Sequence, residues 1–339
     1  MPFETPLPAP ALPENGTDNY FASPSVSPLE PKAVKDWDQS ILTAISEVTT
    51  RYRFLSKIGA GASAEVYRAL DTRVDRHVAI KRFNQETIEM TPAESDYHSE
   101  VAAISKISHP NVVRAYDVDD DEEGFFIVFE LIEGIDLEQR LEKGPLNADE
   151  TRHFLIQALE ALVAVHQSGI SHLDIKPANF MQTSSANGIP HYTLIDFGRA
   201  CDAEREKERR ESKGKKNLRG SIHYMAPEQF TNKPLDARTD LYALGAMAYE
   251  FLTGQKAFDG DNTVQVMAAH LTGRVKPIHE IQPNLPPGIS SWIMALIASN
   301  PEARPQTADE ALRSFLSLST LQFDSIEVTA PFPTLSKTA

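Results

Sequence analysis

The sequence predicts an α+β architecture in two lobes: an antiparallel five-stranded lobe with one main helix, then a larger helical lobe. Three observations carry this. Between Tyr52 and Glu130, short runs rich in Val, Ile, Phe and Tyr are separated by glycine-bearing or acidic turns, as in hairpins. From Asp136 onward, apolar residues recur three and four apart, the helical period. At the two ends of the chain, Pro, Ser and Thr dominate and neither period is present.

The elements follow in order. Tyr52–Ile58 and Val66–Leu70 are expected strands, joined through the glycine-bearing run from Gly59 to Val66. Val78–Lys81 is a third strand, and Tyr97 to Ile107 a helix whose Glu100 and Ile104 share one face. Val112–Val118 and Phe125–Glu130 complete the sheet, joined by the acidic turn Asp119–Gly124, which reads as a solvated hairpin tip. Leu137–Leu141 and Asn147–Gln167 carry helical spacing, and Leu155, Leu159 and Leu162 form a buried stripe. Tyr192–Ile195 is a further strand. Residues 1–47 are expected to be a disordered Pro/Ser-rich tail, 52–318 the folded domain (lobes at about 52–130 and 136–318), and 319–339 a loosely packed tail.

Composition sets limits. The chain of 339 residues is 41% hydrophobic, enough for a full core. A net charge of −15 argues against a general nucleic-acid binder, since a polyanion is repelled. The single cysteine, Cys201, allows no intrachain disulfide and fits a reducing, cytoplasmic setting. No secretory signal is evident, and no stretch is apolar for long enough to span a bilayer.

Certain stretches carry chemistry. Gly59 and Gly61 lie between two strands, where backbone N–H groups can approach a phosphate without Cβ obstruction. A two-glycine hairpin alone is an ordinary turn. Lys81 ends an apolar strand, and its ammonium needs a partner if buried; Glu100 is placed to supply one. The run His172-Leu173-Asp174-Ile175-Lys176-Pro177-Ala178-Asn179 sets a carboxylate, an ammonium and a carboxamide on one loop. A carboxylate can orient a hydroxyl and take its proton, an ammonium can neutralise a transferring phosphoryl group, and an amide oxygen can hold Mg²⁺. Asp196-Phe197-Gly198 follows the Tyr192–Ile195 strand, and Ala226-Pro227-Glu228 lies further on.

In this order the motifs resemble those of the eukaryotic-like Ser/Thr protein kinases, bacterial type, over about residues 52 to 318. The resemblance implies a two-lobed kinase fold and ATP-dependent phosphoryl transfer to Ser or Thr of protein substrates, with autophosphorylation, in signalling. It implies ATP and Mg²⁺ as ligands. Asp174 and Lys176 become the catalytic pair, and Asn179 and Asp196 the metal ligands. Ile58, Gly59, Gly61, Val66, Ala79, Lys81, Glu100 and Met181 are assigned to the nucleotide site. So are the Glu130 carbonyl and Ile132 N–H at the adenine, with Phe129 behind it, and Asp136 at the ribose. The resemblance also pairs Glu228 with Arg304, ties Asp240 to the catalytic-loop backbone, and sets Ser221 where a hydroxyl bonds Asp174 and Lys176.

The chain departs from the pattern in places. Ala64 replaces the third glycine and is expected to add a methyl at the loop tip. Leu173 stands where many kinases carry an Arg that pairs with a phosphorylated activation segment, so that switch is expected to be missing. Replacing Ser212 or Thr239 by Ala is the corresponding test. The basic run from Arg199 to Arg219 reads as a solvated, mobile loop, or as a steering surface for acidic substrates. Cys201 reads as an ordinary thiol. A scaffold without turnover and a small-molecule phosphotransferase remain the alternatives.

Overall fold

The computed structural model describes residues 51–61, 64–83, 100–184, 188–211 and 221–322, without the side chains of 209–211 and 319–322. Two units separate in the chain, Met1–Arg51 and Tyr52–Ala339, and all described residues except Arg51 belong to the second. The tail expected at 1–47, Ser212, and the run beyond Gln322 lie outside the described residues.

The first lobe is a five-stranded sheet in the order β1-β2-β3-β5-β4. Its strands are β1 (Tyr52–Ala60), β2 (Ala64–Asp71), β3 (Arg76–Phe83), β4 (Ala115–Asp121) and β5 (Gly124–Glu130), all paired antiparallel. Alternation along β5 feeds two cores. Phe126 and Val128 join Tyr52, Ala69, Val78 and Ile80 on one face. Ile127 and Phe129 join Phe83, Ala103 and Ile104 on the other, which is continuous with the helical lobe.

Register explains the placement of the site. Gly59 pairs with Val66, and Val66 with Lys81, so one cross-strand row leads from the glycine turn to the ammonium. Ala64 departs from expectation. It lies inside β2 opposite Phe83, with its methyl buried, and its carbonyl accepts from Gly61 N at 2.8 Å. The methyl adds to the core instead of standing at the loop tip.

The helix α1 is described over 100–104 and ends before the expected Ile107; the expected start at Tyr97 lies outside the described residues. Lys106 N and Ile107 N bond back to the third residue before them, at 3.3 and 3.2 Å, so the last turn tightens and the helix stops ahead of Pro110. β4 begins at Ala115, not Val112. Val112 and Val113 are drawn to the helical lobe: Val113 N donates to Leu194 O at 2.9 Å. The acidic hairpin is also more than a solvated tip. Arg82 donates to Asp121 and Glu123, each at 2.7 Å, and its guanidinium lies 4.7 Å from the Phe54 ring centroid.

In the second lobe, β6 (Ile135–Asp136) leads into α2 (Leu137–Glu142) and α3 (Ala148–Gln167). Asn147 and Glu150 form a capping box that starts α3. Leu155, Leu159 and Leu162 are fully buried, and Phe154 packs edge-on against Phe180, Tyr192 and Phe251. β6, β7 (Phe180–Ser184) and β8 (Pro190–Leu194) form a small sheet.

Two helices matter further on: α4 (Ala203–Glu211) and α6 (Ala237–Thr253), with the short α5 (Pro227–Phe230) between them. The helix α4 replaces the loop expected there. Its Ala, Glu, Lys and Arg residues are good helix formers, and Asp202 Oδ1 accepts Arg205 N at 3.0 Å as a cap. The helix α6 is buried nearly all round. A Cβ at Gly245 would lie 2.5 Å from Leu296 Cβ, so glycine permits that close approach. After α7 (Thr263–Thr272), α8 (Ile278–Ile281) and α9 (Pro287–Leu296), α10 (Ala308–Gln322) runs past the tail boundary expected at 318.

Candidate active site

Three ionised groups meet where the lobes join. Lys81 Nζ donates to Glu100 Oε1 and Oε2 at 2.7 and 2.8 Å and to Asp196 Oδ1 at 2.7 Å. β3 brings the lysine, α1 the glutamate, and the turn after β8 the aspartate, which adopts φ 64°. Glu100 is fully buried, so its carboxylate is there only because Lys81 compensates it. Burial raises the Glu100 pKa, with Lys81 opposing. Lys81 holds the Asp196 carboxyl well below the usual carboxylate range. For Lys81 itself burial acts downward, but the two carboxylates outweigh it and its pKa is raised.

The second cluster is the loop around Asp174. Lys176 Nζ donates to Asp174 Oδ2 at 2.7 Å, and Asn179 Nδ2 donates to the same oxygen at 3.1 Å and to the Asp174 carbonyl at 2.7 Å. The loop is held from beneath by Asp240 on α6, which accepts His172 N at 2.8 Å and Leu173 N at 2.7 Å. His166, at the end of α3, contacts Asp240 Oδ2 at 2.9 Å. Leu173 adopts φ 63° and is buried, with its carbonyl accepting from Gln229 at 3.1 Å. His172 is buried against the Phe197 ring, centroids 4.9 Å apart, and burial lowers its pKa.

The two clusters are one site. Ile195 N, next to Asp196, donates to Asn179 O at 2.8 Å. The donor set suits Mg²⁺. The Asn179 amide nitrogen is engaged by Asp174, which leaves its oxygen for other contacts, and Asp196 adds a carboxylate; few protein carboxylates with oxygen donors are what Mg²⁺ favours.

The expected nucleotide wall is more mixed. Ile58 sits at a bulge between Lys57 and Gly59 and is 51% exposed. Ala79 faces Phe129 across β3 and β5, and Ile132 is half-buried against the main core. The Glu130 side chain turns to Arg114 N, 3.0 Å away. Met181 pairs with Asp136. Asp136 Oδ1, expected at a ribose, caps α2 by accepting Gln139 N at 2.8 Å.

The supporting contacts vary. Arg304 bonds Glu228 at 2.7 and 2.9 Å. Ser221 lines the same cavity as Asp174 and Lys176, but no hydrogen bond joins it to either. Thr239 is no site for phosphorylation: it is buried in α6 and donates to Glu228 at 3.0 Å. Cys201 is buried and is in no disulfide. The sequence reasoning missed His166, Gln229 and the contact of Arg199 with Asp174. None of these has a signal in spacing, because each acts across a tertiary contact.

A small antiparallel lobe over a helical one, joined at a Lys–Glu–Asp cluster, defines a protein kinase domain. The chain belongs to that family: the protein kinase domain matches residues 52–316. It is 33% identical over 266 residues to a probable serine/threonine-protein kinase of Clostridium acetobutylicum, covering 78% of this chain and 39% of that protein. It is 31% identical over 264 residues to the serine/threonine-protein kinase PrkC of Bacillus subtilis, covering 78% and 40%. It is 33% identical over 266 residues to a probable serine/threonine-protein kinase PknB of Lactococcus lactis, covering 77% and 41%. The chain thus spans about two fifths of the length of these relatives. No helix among the described residues is long and apolar enough to cross a membrane.

Proposed function

We propose that this chain is an ATP-dependent serine/threonine protein kinase. One observation carries the reading: Lys81, from the sheet lobe, and Asp196, from the helical lobe, meet at 2.7 Å beside the loop that bears Asp174. The names of the relatives support Ser/Thr acceptors.

In this reading Lys81 binds ATP phosphate oxygens, with Glu100 holding it in place. The Asn179 and Asp196 side-chain oxygens would hold Mg²⁺, which would neutralise phosphate charge. Asp174, fixed through Oδ2, presents Oδ1 to the acceptor hydroxyl. The hydroxyl oxygen bonds the γ-phosphorus as the bond to the β–γ bridging oxygen breaks. The hydroxyl proton passes to Asp174, and ADP leaves. Lys176 offsets negative charge on the moving group. The catalytic contribution is positioning and electrostatics.

The test is transfer of label from γ-labelled ATP to Ser, Thr and Tyr peptides, comparing wild type with Asp174→Ala. Transfer to Ser or Thr that falls by about a thousandfold or more in the variant supports the reading. Equal transfer by both proteins sinks it.

A further inference from the structure

The glycine turn ends an arm that its backbone holds loosely. β1 shifts register between Phe54 and Ser56 and again between Lys57 and Gly59. Such a bulge leaves a residue unpaired and bends the strand. Beyond the second shift, Gly59 pairs with Val66 and Ala60 with Glu65, and Gly61 N donates to Ala64 O at 2.8 Å. Side chains bridge the bend. Lys57, ahead of it, donates from Nζ to Glu65 Oε1 at 2.6 Å, and Glu65 lies past it. Tyr67 OH donates to Glu65 Oε2, so both carboxylate oxygens are engaged.

The bridge is anchored. Tyr67 packs edge-on against Phe54, ring centroids 5.4 Å apart, and Phe54 packs on the core of Tyr52, Ala69 and Val78. Lys57 and Tyr67 hold the Glu65 carboxyl below the usual carboxylate range. Alternation along β2 sets its face. Glu65 and Tyr67 share the face of Ala69 and the outer core, whereas Val66, paired with Lys81, shares that of Ala64 and the core continuous with the helical lobe. The carboxylate thus stands behind the turn, on the side away from Lys81. Lys57 and Glu65 are 45% and 34% exposed, too wet for the pair to add much stability. What it fixes is the angle of the bend.

We propose that Glu65 is a positioning residue: with Lys57 and Tyr67 it latches the outer face of the hairpin and so sets how the glycine turn grips the ATP phosphates. This rests on the kinase reading, in which that turn covers the phosphates. Charge alone predicts the opposite effect of losing Glu65. Removing a carboxylate near a polyanion lowers repulsion and tightens binding. Losing the latch frees the turn, and ordering it again on ATP weakens binding. The sign of the effect therefore separates the two.

The experiment uses the full chain, γ-labelled ATP and one Ser/Thr peptide, with kcat, KM for ATP and KM for peptide measured separately. Glu65→Ala is expected to raise KM for ATP about fivefold or more, with kcat and KM for peptide within about twofold of wild type. Adding Lys57→Ala to Glu65→Ala costs less than about twofold more, because the shared bond is already gone. Exchanging the charges, Lys57→Glu with Glu65→Lys, rebuilds the bridge and brings KM for ATP back to within about twofold of wild type. Thermal melts confirm that each variant is folded. A Glu65→Ala enzyme whose KM for ATP is unchanged or lowered overturns the proposal. So does an exchange variant as weak for ATP as Glu65→Ala. A Glu65→Ala enzyme that loses kcat and both KM values together, with a lowered melt, marks a merely structural role and overturns it as well. If wild type labels no peptide and matches Asp174→Ala, the kinase reading itself fails, and this inference with it.

Discussion

Arg304 and Glu228 form an ion pair shut away from water: two bonds of 2.7 and 2.9 Å join side chains that are 0% and 3% exposed. Arg304 also donates to the carbonyls of Ala298 and Arg238. It therefore ties α5 and α6 to the segment after α9. Arg304→Met leaves the Glu228 carboxylate buried without its cation, and we expect a loss of about 3–5 kcal/mol. Replacing both residues by apolar ones of similar volume costs less. Denaturant midpoints of the two variants check this.

The ion cluster at the junction makes a pH prediction. Lys81 depresses the Asp196 pKa, so that carboxylate's stabilising contribution is present above its unfolded value and lost as pH falls through the folded one. Glu100 has the opposite sign, because burial raises it and its ionised form costs stability at neutral pH. The stability gap between wild type and Asp196→Asn is expected to narrow as pH falls from about 4 toward 2. A gap independent of pH would speak against the Lys81–Asp196 contact in solution.

Gly198 packs against the same cluster. A Cβ there would lie 3.3 Å from Asp196 Oδ1 and from Glu100 Oε2, and 3.5 Å from Lys81 Nζ. Gly198→Ala is expected to slow phosphoryl transfer on the order of tenfold, with a melting temperature close to wild type. Peptide kinetics alongside a thermal melt separate the two effects.

Leu173 is buried, 6% exposed, where the resemblance to the Ser/Thr kinases implies an Arg that pairs with a phosphate. It offers no charge for an activation-segment phosphate to engage. Phosphatase treatment of the purified protein is therefore expected to leave kcat within about threefold of the untreated value. A fall of more than about tenfold would show that another cation reads such a phosphate.

The site was legible where chemistry is written locally. Asp174, Lys176 and Asn179 share one loop, so residue types and spacing suffice to propose their meeting. Lys81 and Glu100 were legible because an ammonium ending an apolar strand needs a partner, and a helix follows with a carboxylate on its inner face. Contacts set by tertiary approach were not legible. Nothing in the acidic hairpin foretells that Arg82 folds back on it, and nothing in the spacing around Asp136 foretells its capping bond to Gln139. The helix at 203–211 is readable from Asp202 and the helix formers after it, but its charge density equally fits a solvated loop.

The account depends on Lys81 and Asp196 acting on one ATP phosphate chain, and a double-mutant cycle tests this most directly. It compares single-turnover transfer to a Ser/Thr peptide in Lys81→Met, Asp196→Asn and the double variant. Each single change is expected to cost about a hundredfold or more, and the double to fall within about tenfold of the worse single. Losses that multiply, or either single variant working near the wild-type rate, would contradict a shared role at one phosphoryl group.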